Sequence, residues 1–361
     1  MQKSSQPVSP NFSIEIESLR GIAAFLVLLG HLYLFGNLTV FLPSNTSEFF
    51  KVLVSGFFNP QPSVLLFFTI SGLVLGRQLR KNPVENFRTF IAYLCRRGFR
   101  LLPLIWVTTI FAFTLDGFVH HRSFSLLLSN LMLKDISLNL VLWSIHVELW
   151  CSIFFPILFW MFKNSGIFFN ALLFIGCVLM SLLVQKPLFM QFWIFFHAGL
   201  LIDVLSANTS STRFKNPLLL VFGYLLFILA PEFCFGTRIW LYGHWQNWIL
   251  PEIIACPLIL FFIVHNKNTV FNAFLHLSWI RYLGKISFSI YLIHFPILLL
   301  MLNKFPIGSL SQLVIFSILF ITATILISDL AYRWIEVPFN NLGRKYYKML
   351  TTDLPTETVL A

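Results

Sequence analysis

The sequence predicts an all-α polytopic membrane protein, a bundle of about ten transmembrane helices, and three observations carry that prediction. Of 361 residues, 57% are hydrophobic and only 11% are charged, too little charge to cover a surface facing water. Mean hydropathy is +0.81. Apolar stretches of membrane-spanning length recur along the whole chain, which a soluble fold with one large oily core does not require.

The spans follow in order. The first, 20–36, opens on Arg20 and carries His31 eleven residues later, with a glycine beside each. The second, 62–79, contains Ser71. The third, 101–117, follows the run RRGFR and has Pro103 near its start, a position suited to a first turn or a bend. The fourth, 138–161, carries Glu148; the fifth, 171–184, is short and abuts the sixth, 188–206. The seventh and eighth cover 217–233 and 249–265, the ninth (286–302) carries Tyr291 and His294, and the tenth covers 310–334. Hydrocarbon offers no water to backbone groups, so runs of about 17–25 residues close on themselves as helices. The stretch 118–137 is too interrupted for another span and suits an amphipathic helix at the outer interface.

A formal charge of +11 invites a nucleic-acid partner, but its placement argues for topology. With both termini in the cytoplasm, nineteen of the 25 Lys and Arg residues fall on the inner side, seven of them between Arg77 and Arg100. The outer side holds Lys51, Arg122, Lys134, Lys186, Arg238 and Lys304. No loop joins a long basic patch to interleaved aromatics, so nucleic acid is not an expected partner. Cys95, Cys151, Cys177, Cys234 and Cys256 have neither disulfide-framework nor metal-site spacing, and no metal is expected. The first apolar run lacks a basic leader and a small-residue cleavage pattern, which marks it as a retained helix. One integral-membrane domain over 1–350 and a short disordered tail over 351–361 complete the expected organisation.

Ionisable groups inside such spans are costly and need a reason. At about 1.5 Å per residue, His31 lies about 16 Å in from Arg20, near the bilayer centre. Glu148, ten residues from the outer start of its span, comes to a similar depth, as do Ser71, Tyr291 and His294. A carboxylate there needs a polar cavity or a partner, and histidine can exchange a proton near neutral pH. His146 is two positions from Glu148 and points elsewhere on a helix. A second concentration is YLCRRGFRLLPLIW, residues 93–106, where Arg97 and Arg100 share a helix face and Gly98 between them permits close approach. Guanidinium forks suit phosphate; a positive-inside flank on anionic headgroups would have the same composition. Together the two concentrations fit recognition of a phosphate-bearing compound at the inner face and proton transfer deeper in the membrane.

Six ordered blocks give the sequence a likeness to the membrane-bound acyltransferase family 3, whose members O-acylate extracytoplasmic glycans and related acceptors. SLRGIAAFLVLLGH resembles the family's opening arginine and histidine signature through Arg20 and His31. FFTISGLVLGRQL resembles its Ser-Gly block through Ser71 and Gly72, and RRGFRLLP its Arg-x-x-Arg pattern through Arg97 and Arg100. LWSIHVELW resembles the glutamate block through Trp143, Ser144 and Glu148. LGKISFSIYLIHFP and RWIEVPF resemble the last two blocks, through Gly284, Ser287, Tyr291, His294 and Pro296, then Glu336 and Pro338. The departures are His146 inside the glutamate block and Phe288 at a place often held by tyrosine.

The resemblance implies an acyl-coenzyme A donor, usually acetyl-CoA, reached from the cytoplasm, and a hydroxyl of a glycan or lipid-linked sugar as acceptor at the outer side of a bacterial cytoplasmic membrane. It implies His31 as catalytic base or acyl carrier, with Arg97 and Arg100 on the coenzyme A phosphates. Glu148 is expected in the catalytic group and Arg20 in donor binding, with Ser71, Ser144, Tyr291 and His294 lining the same cavity. Some members add an extracytoplasmic domain that passes the acyl group onward; here the membrane domain is expected to finish the reaction or work with separate envelope-biosynthesis partners. The competing class is a proton-coupled transporter or exporter of a lipid- or sugar-linked substrate, although the spans show no two similar halves with broken helices.

Overall fold

A computed structural model describes residues 14–43, 45–117, 123–184, 188–208, 217–235, 246–265 and 270–352. Every regular element among them is helical. In chain order these are α1 (Ile14–Phe35), a 3-10 turn (Leu38–Phe41), α2 (Glu48–Phe57), α3 (Pro60–Lys81), α4 (Phe87–Gly117), α5 (Phe124–Leu131) and α6 (Leu142–Asn164). Then come α7 (Ile167–Leu183), α8 (Leu188–Asn208), α9 (Pro217–Phe235), α10 (Gln246–His265), α11 (Val270–Leu275), α12 (Ser278–Lys285) and α13 (Ser287–Lys304). The chain closes with α14 (Leu310–Ala331), a π turn (Tyr332–Glu336) and α15 (Val337–Thr352).

Seven helical segments among the described residues are long and apolar enough to cross a membrane, and shorter apolar helices occupy Phe168–Leu183, Leu218–Leu229 and Pro251–His265. The protein is an all-α polytopic membrane protein, and each of the ten expected spans falls on a helix. The helices differ from the spans at their ends. Asn86 starts α4 well before residue 101: its Oδ1 accepts from Thr89 N at 2.9 Å, while Thr89 Oγ1 accepts from the Asn86 and Glu85 amides at 3.1 Å. That reciprocal cap fixes a 31-residue helix, about 46 Å long, which exceeds the hydrocarbon thickness. At the other end of the chain the helix does not stop at 334; it continues through the π turn into the amphipathic α15. The expected tail loses Thr351 and Thr352 to α15, and 353–361 lie outside the described residues. Of the interfacial stretch 118–137, residues 118–122 lie outside the described set, and α5 is the helix in the rest. Lys3, Arg122, Lys186, Arg213, Lys215, Arg238 and Lys267 of the charge pattern also lie outside it.

The residues form two compact units, one from 1–77 and 161–288, the other from 78–160 and 289–361. Glycines set the closest crossings of the first. A Cβ on Gly72 of α3 would strike the Phe196 backbone of α8, and one on Gly199 would strike Thr69 and Leu73, so the helices meet backbone to backbone. Gly21 and Gly284 do the same for α1 and α12, where Ser18 Oγ also donates to Leu275 O at 2.6 Å. Phe68, Phe192 and Phe196 fill the space beside the α3–α8 crossing.

In the second unit α15 lies along α4. Gly343 admits Phe99, the Phe99 and Tyr346 rings stack at 5.3 Å, and the Arg96 guanidinium sits 5.4 Å from the centre of the Tyr347 ring. At the opposite end of α4, Ala112 packs with Leu127 of α5 and Leu138.

Candidate active site

The densest polar arrangement in the second unit grows from two i, i+4 pairs. Tyr93 and Arg97 lie on one face of α4, and Glu148 and Ser152 on one face of α6. Arg97 Nη2 donates to Glu148 Oε1 at 2.8 Å and to Ser152 Oγ at 2.7 Å, and Tyr93 OH donates to Ser152 O at 2.8 Å. The side chains of Arg97 and Glu148 are 7% and 17% exposed, so this is a charge-assisted pair in low dielectric. Arg97 Nε is buried and lacks a hydrogen-bond partner.

One turn before Glu148 on α6, Ser144 Oγ lies 2.6 Å from Tyr291 OH of α13, and Tyr291 OH donates to Val141 O at 3.2 Å. Asn139 Nδ2 donates to Leu292 O at 2.9 Å, fastening the start of α6 to α13. His294 is fully buried, with its ring 6.0 Å from that of Tyr291 and its Nδ1 2.9 Å from Ile290 O. Ser144, Glu148 and Ser152 therefore form a stripe of three residues spaced four apart along α6, joined to α13 at one end and α4 at the other.

Arg97 and Glu148, assigned by sequence to the inner face and to mid-depth, are thus partners. The early start of α4 carries Arg97 a third of the way along its helix instead of onto a flank. Arg100 is half-buried three residues further on. Gly98 does not serve a close approach: a Cβ there would meet Leu102 Cδ1 of its own helix at 3.7 Å. His146 faces away from the stripe, accepting at Nε2 from Trp150 Nε1 at 2.8 Å.

His31, Arg20 and Ser71 belong to the first unit. His31 Nδ1 lies 3.1 Å from Val27 O, the ring's i−4 carbonyl, and a proton on Nδ1 leaves Nε2 as the basic nitrogen. Gly30 beside it allows the Phe58 carbonyl and Pro60 ring to approach α1. Arg20 and Ser71 are half-buried on α1 and α3.

Sequence reasoning passed over Tyr93 and Ser152, although each stands four residues from a residue already chosen. It also passed over buried acids of the first unit. Asp203 accepts from Arg77 Nε at 3.3 Å, and Glu252 Oε2 accepts from Cys256 Sγ at 3.3 Å. Their signal was a lone acid in an apolar helix, the same signal that marked Glu148. Among the described residues no group of three or more His, Cys, Asp or Glu could hold a metal ion.

The chain is similar to curated relatives over part of its length. The O-acetyltransferase OatA of Staphylococcus aureus, in strains COL and MW2, is 28% identical over 118 residues, which is 32% of this chain and 19% of the relative. The alignment thus spans about a fifth of those proteins. No solved structure gives a significant match. An acyltransferase domain model matches residues 13–333, through both units and the first five sequence blocks, ending at Arg333, the first residue of RWIEVPF. The chain belongs to the acyltransferase 3 family.

Proposed function

We propose that the chain transfers an acyl group, acetyl foremost, from acyl-coenzyme A to a hydroxyl of a glycan or related acceptor, in a bacterial cytoplasmic membrane with both termini inside. One observation carries the donor half of this reading: Arg97 is held through Nη2 while its buried Nε has no acceptor. A structural guanidinium at such burial would have its donors met, and a phosphate oxygen supplies what Nε lacks. The residues therefore fit a phosphate-bearing donor. In this reading Arg97, Arg100 and Arg20 hold the coenzyme A phosphates. Glu148 is a positioning residue that aims Arg97.

His31 supplies the proton chemistry. Its Nδ1 is turned to the Val27 carbonyl, which orients the ring and makes Nε2 the nitrogen that takes the acceptor's hydroxyl proton or carries the acyl group. The acceptor oxygen bonds to the acyl carbon, the C–S bond breaks, and the proton ends on the released thiol. Ser71, Ser144, Tyr291 and His294 contact substrate in this reading, the Ser144–Tyr291 hydroxyl pair being suited to a developing oxyanion.

The test is transfer of label from acetyl-labelled coenzyme A by membranes carrying the chain. Label should pass to a hydroxyl-bearing envelope acceptor, with free coenzyme A released in equal amount. Membranes that carry the folded chain yet transfer no more label than membranes without it would refute the reading.

A further inference from the structure

The second unit carries an apolar groove of about 230 Å³ between α4, α13 and the join of α14 to the π turn. Leu104, Thr108 and Phe111 line it from α4, Ile293 from α13, and Ala331 and Trp334 from the remaining wall. It presents no polar surface. Even Thr108 spends its hydroxyl inside α4, on Leu104 O at 2.8 Å and Ile105 O at 3.0 Å. Val107, Leu330 and Trp334 along the groove are exposed, Trp334 by 72%, so it opens outward to lipid. Cations stand off one end of it. Gly343 and Tyr346 of α15 meet Phe99 of α4, and Tyr347 meets Arg96, so the two helices run antiparallel. Arg344, Lys345 and Lys348 are exposed on α15, with Arg344 near enough to Arg96 for their charges to repel. Along α4 the rise is about 12 Å from Arg96 to Leu104 and about 10 Å from Leu104 to Phe111. The sum, about 22 Å, is half of the roughly 40–45 Å that a bilayer spans with its headgroup zones. Cations at headgroup level and a groove at chain level therefore fall within one leaflet, the inner one in the topology proposed above.

We propose that the groove holds one acyl chain of an anionic phospholipid whose phosphate lies against Arg344, Lys345 and Lys348. The proposal stands independently of the acyl-transfer reading, and α15 begins beyond residue 333, where the family match ends. A dry apolar cavity of about 150 Å³ takes a six-carbon ring, so this volume corresponds to about nine carbons of a chain. Nine carbons are the deeper half of an ordinary lipid tail, and the groove lies at that depth. The pantetheine arm of coenzyme A carries two amides that these walls leave without partners, so the groove favours a hydrocarbon chain over the donor. Charge selects the headgroup: three exposed cations on the last turns of α15 complement a phosphate that carries a net negative charge, and gain little from a zwitterion.

Tryptophan quenching tests this on the purified full-length chain, which keeps Asp353 and Glu357 beyond α15, in phosphatidylcholine vesicles. The probes are phosphatidylglycerol and phosphatidylcholine, each brominated at mid-chain and titrated separately. The difference between wild type and Trp334→Phe isolates the quenching of Trp334. That part should give phosphatidylglycerol a relative binding constant about fivefold or more above phosphatidylcholine, the equivalent of one Lys or Arg contact of about 1 kcal/mol. The triple variant Arg344→Gln, Lys345→Gln and Lys348→Gln should bring the ratio to about one. Ala331→Leu, which narrows the groove and keeps every cation, should at least halve it. The triple variant alters exposed side chains only, so the test stays decisive if Ala331→Leu does not fold. A wild-type ratio near one, a preference that survives in the triple variant, a ratio unchanged in folded Ala331→Leu, or a phosphatidylglycerol preference that is equal in Trp334→Phe would each overturn the proposal.

Discussion

Replacing Glu148 by alanine leaves the Arg97 guanidinium with a neutral neighbour, Ser152 Oγ at 2.7 Å, in place of a carboxylate at 2.8 Å. Removing one partner of a buried ion pair costs about 3–5 kcal/mol, because the remaining charge stays desolvated. Ser152 remains and the Glu148 side chain is 17% exposed, so the lower end, about 3 kcal/mol, is expected here. Glu148→Gln keeps an oxygen acceptor and loses only the charge, and should cost about 1–2 kcal/mol. The double variant Arg97→Met with Glu148→Leu removes both charges at similar volume and should recover most of the loss, giving a coupling of about 2 kcal/mol or more. Equilibrium unfolding in mixed micelles, followed by tryptophan fluorescence, measures all four corners of the cycle. Additivity within about 0.5 kcal/mol would refute the pairing as an energetic unit, whatever its geometry.

Gly72→Ala should destabilise the first unit by about 1–3 kcal/mol because the added Cβ meets the Phe196 backbone, whereas Gly98→Ala should be neutral or slightly stabilising; unfolding midpoints compare them. Tyr291→Phe removes the hydroxyl shared by Ser144 and Val141 O, and should cost about 1–2 kcal/mol while leaving coenzyme A affinity unchanged. Arg97→Gln should raise the coenzyme A dissociation constant by about tenfold or more, the worth of a charge-assisted phosphate contact; unchanged affinity in a titration would leave the arginine only its structural pairing with Glu148 and Ser152. For topology, cysteines introduced at Lys81 and Lys134 should react with a membrane-impermeant maleimide from opposite sides, Lys134→Cys from outside intact cells and Lys81→Cys only after lysis.

The spans were legible because length and apolarity alone select a membrane helix, and all ten regions fall on helices for that reason. Short amphipathic pieces were not. The helices α2, α11 and α12 carry too few residues for hydropathy to reveal, and α15 hides behind the basic and aromatic residues that suit it to the edge of the apolar layer. In the site, residue types were legible and partners were not. The pairing of Arg97 with Glu148 depends on the vertical offset of α4 against α6, and an offset leaves no periodic trace in either helix. The cap at Asn86 and Thr89 was the available signal, since it starts α4 at Phe87 and so places Arg97 within the helix instead of before it. Gly72 and Gly284, quoted as motif residues, acquire a physical reason only when the opposing backbones are present.

The central claim is that the chain moves an acyl group from coenzyme A by way of His31. The direct measurement is a single turnover of purified wild-type chain and His31→Ala with labelled acetyl-coenzyme A and a hydroxyl acceptor, both proteins first matched by unfolding midpoint and coenzyme A affinity. Wild type should deliver label to the acceptor and His31→Ala should deliver none above the protein-free rate. Equal label transfer by the two would contradict the account.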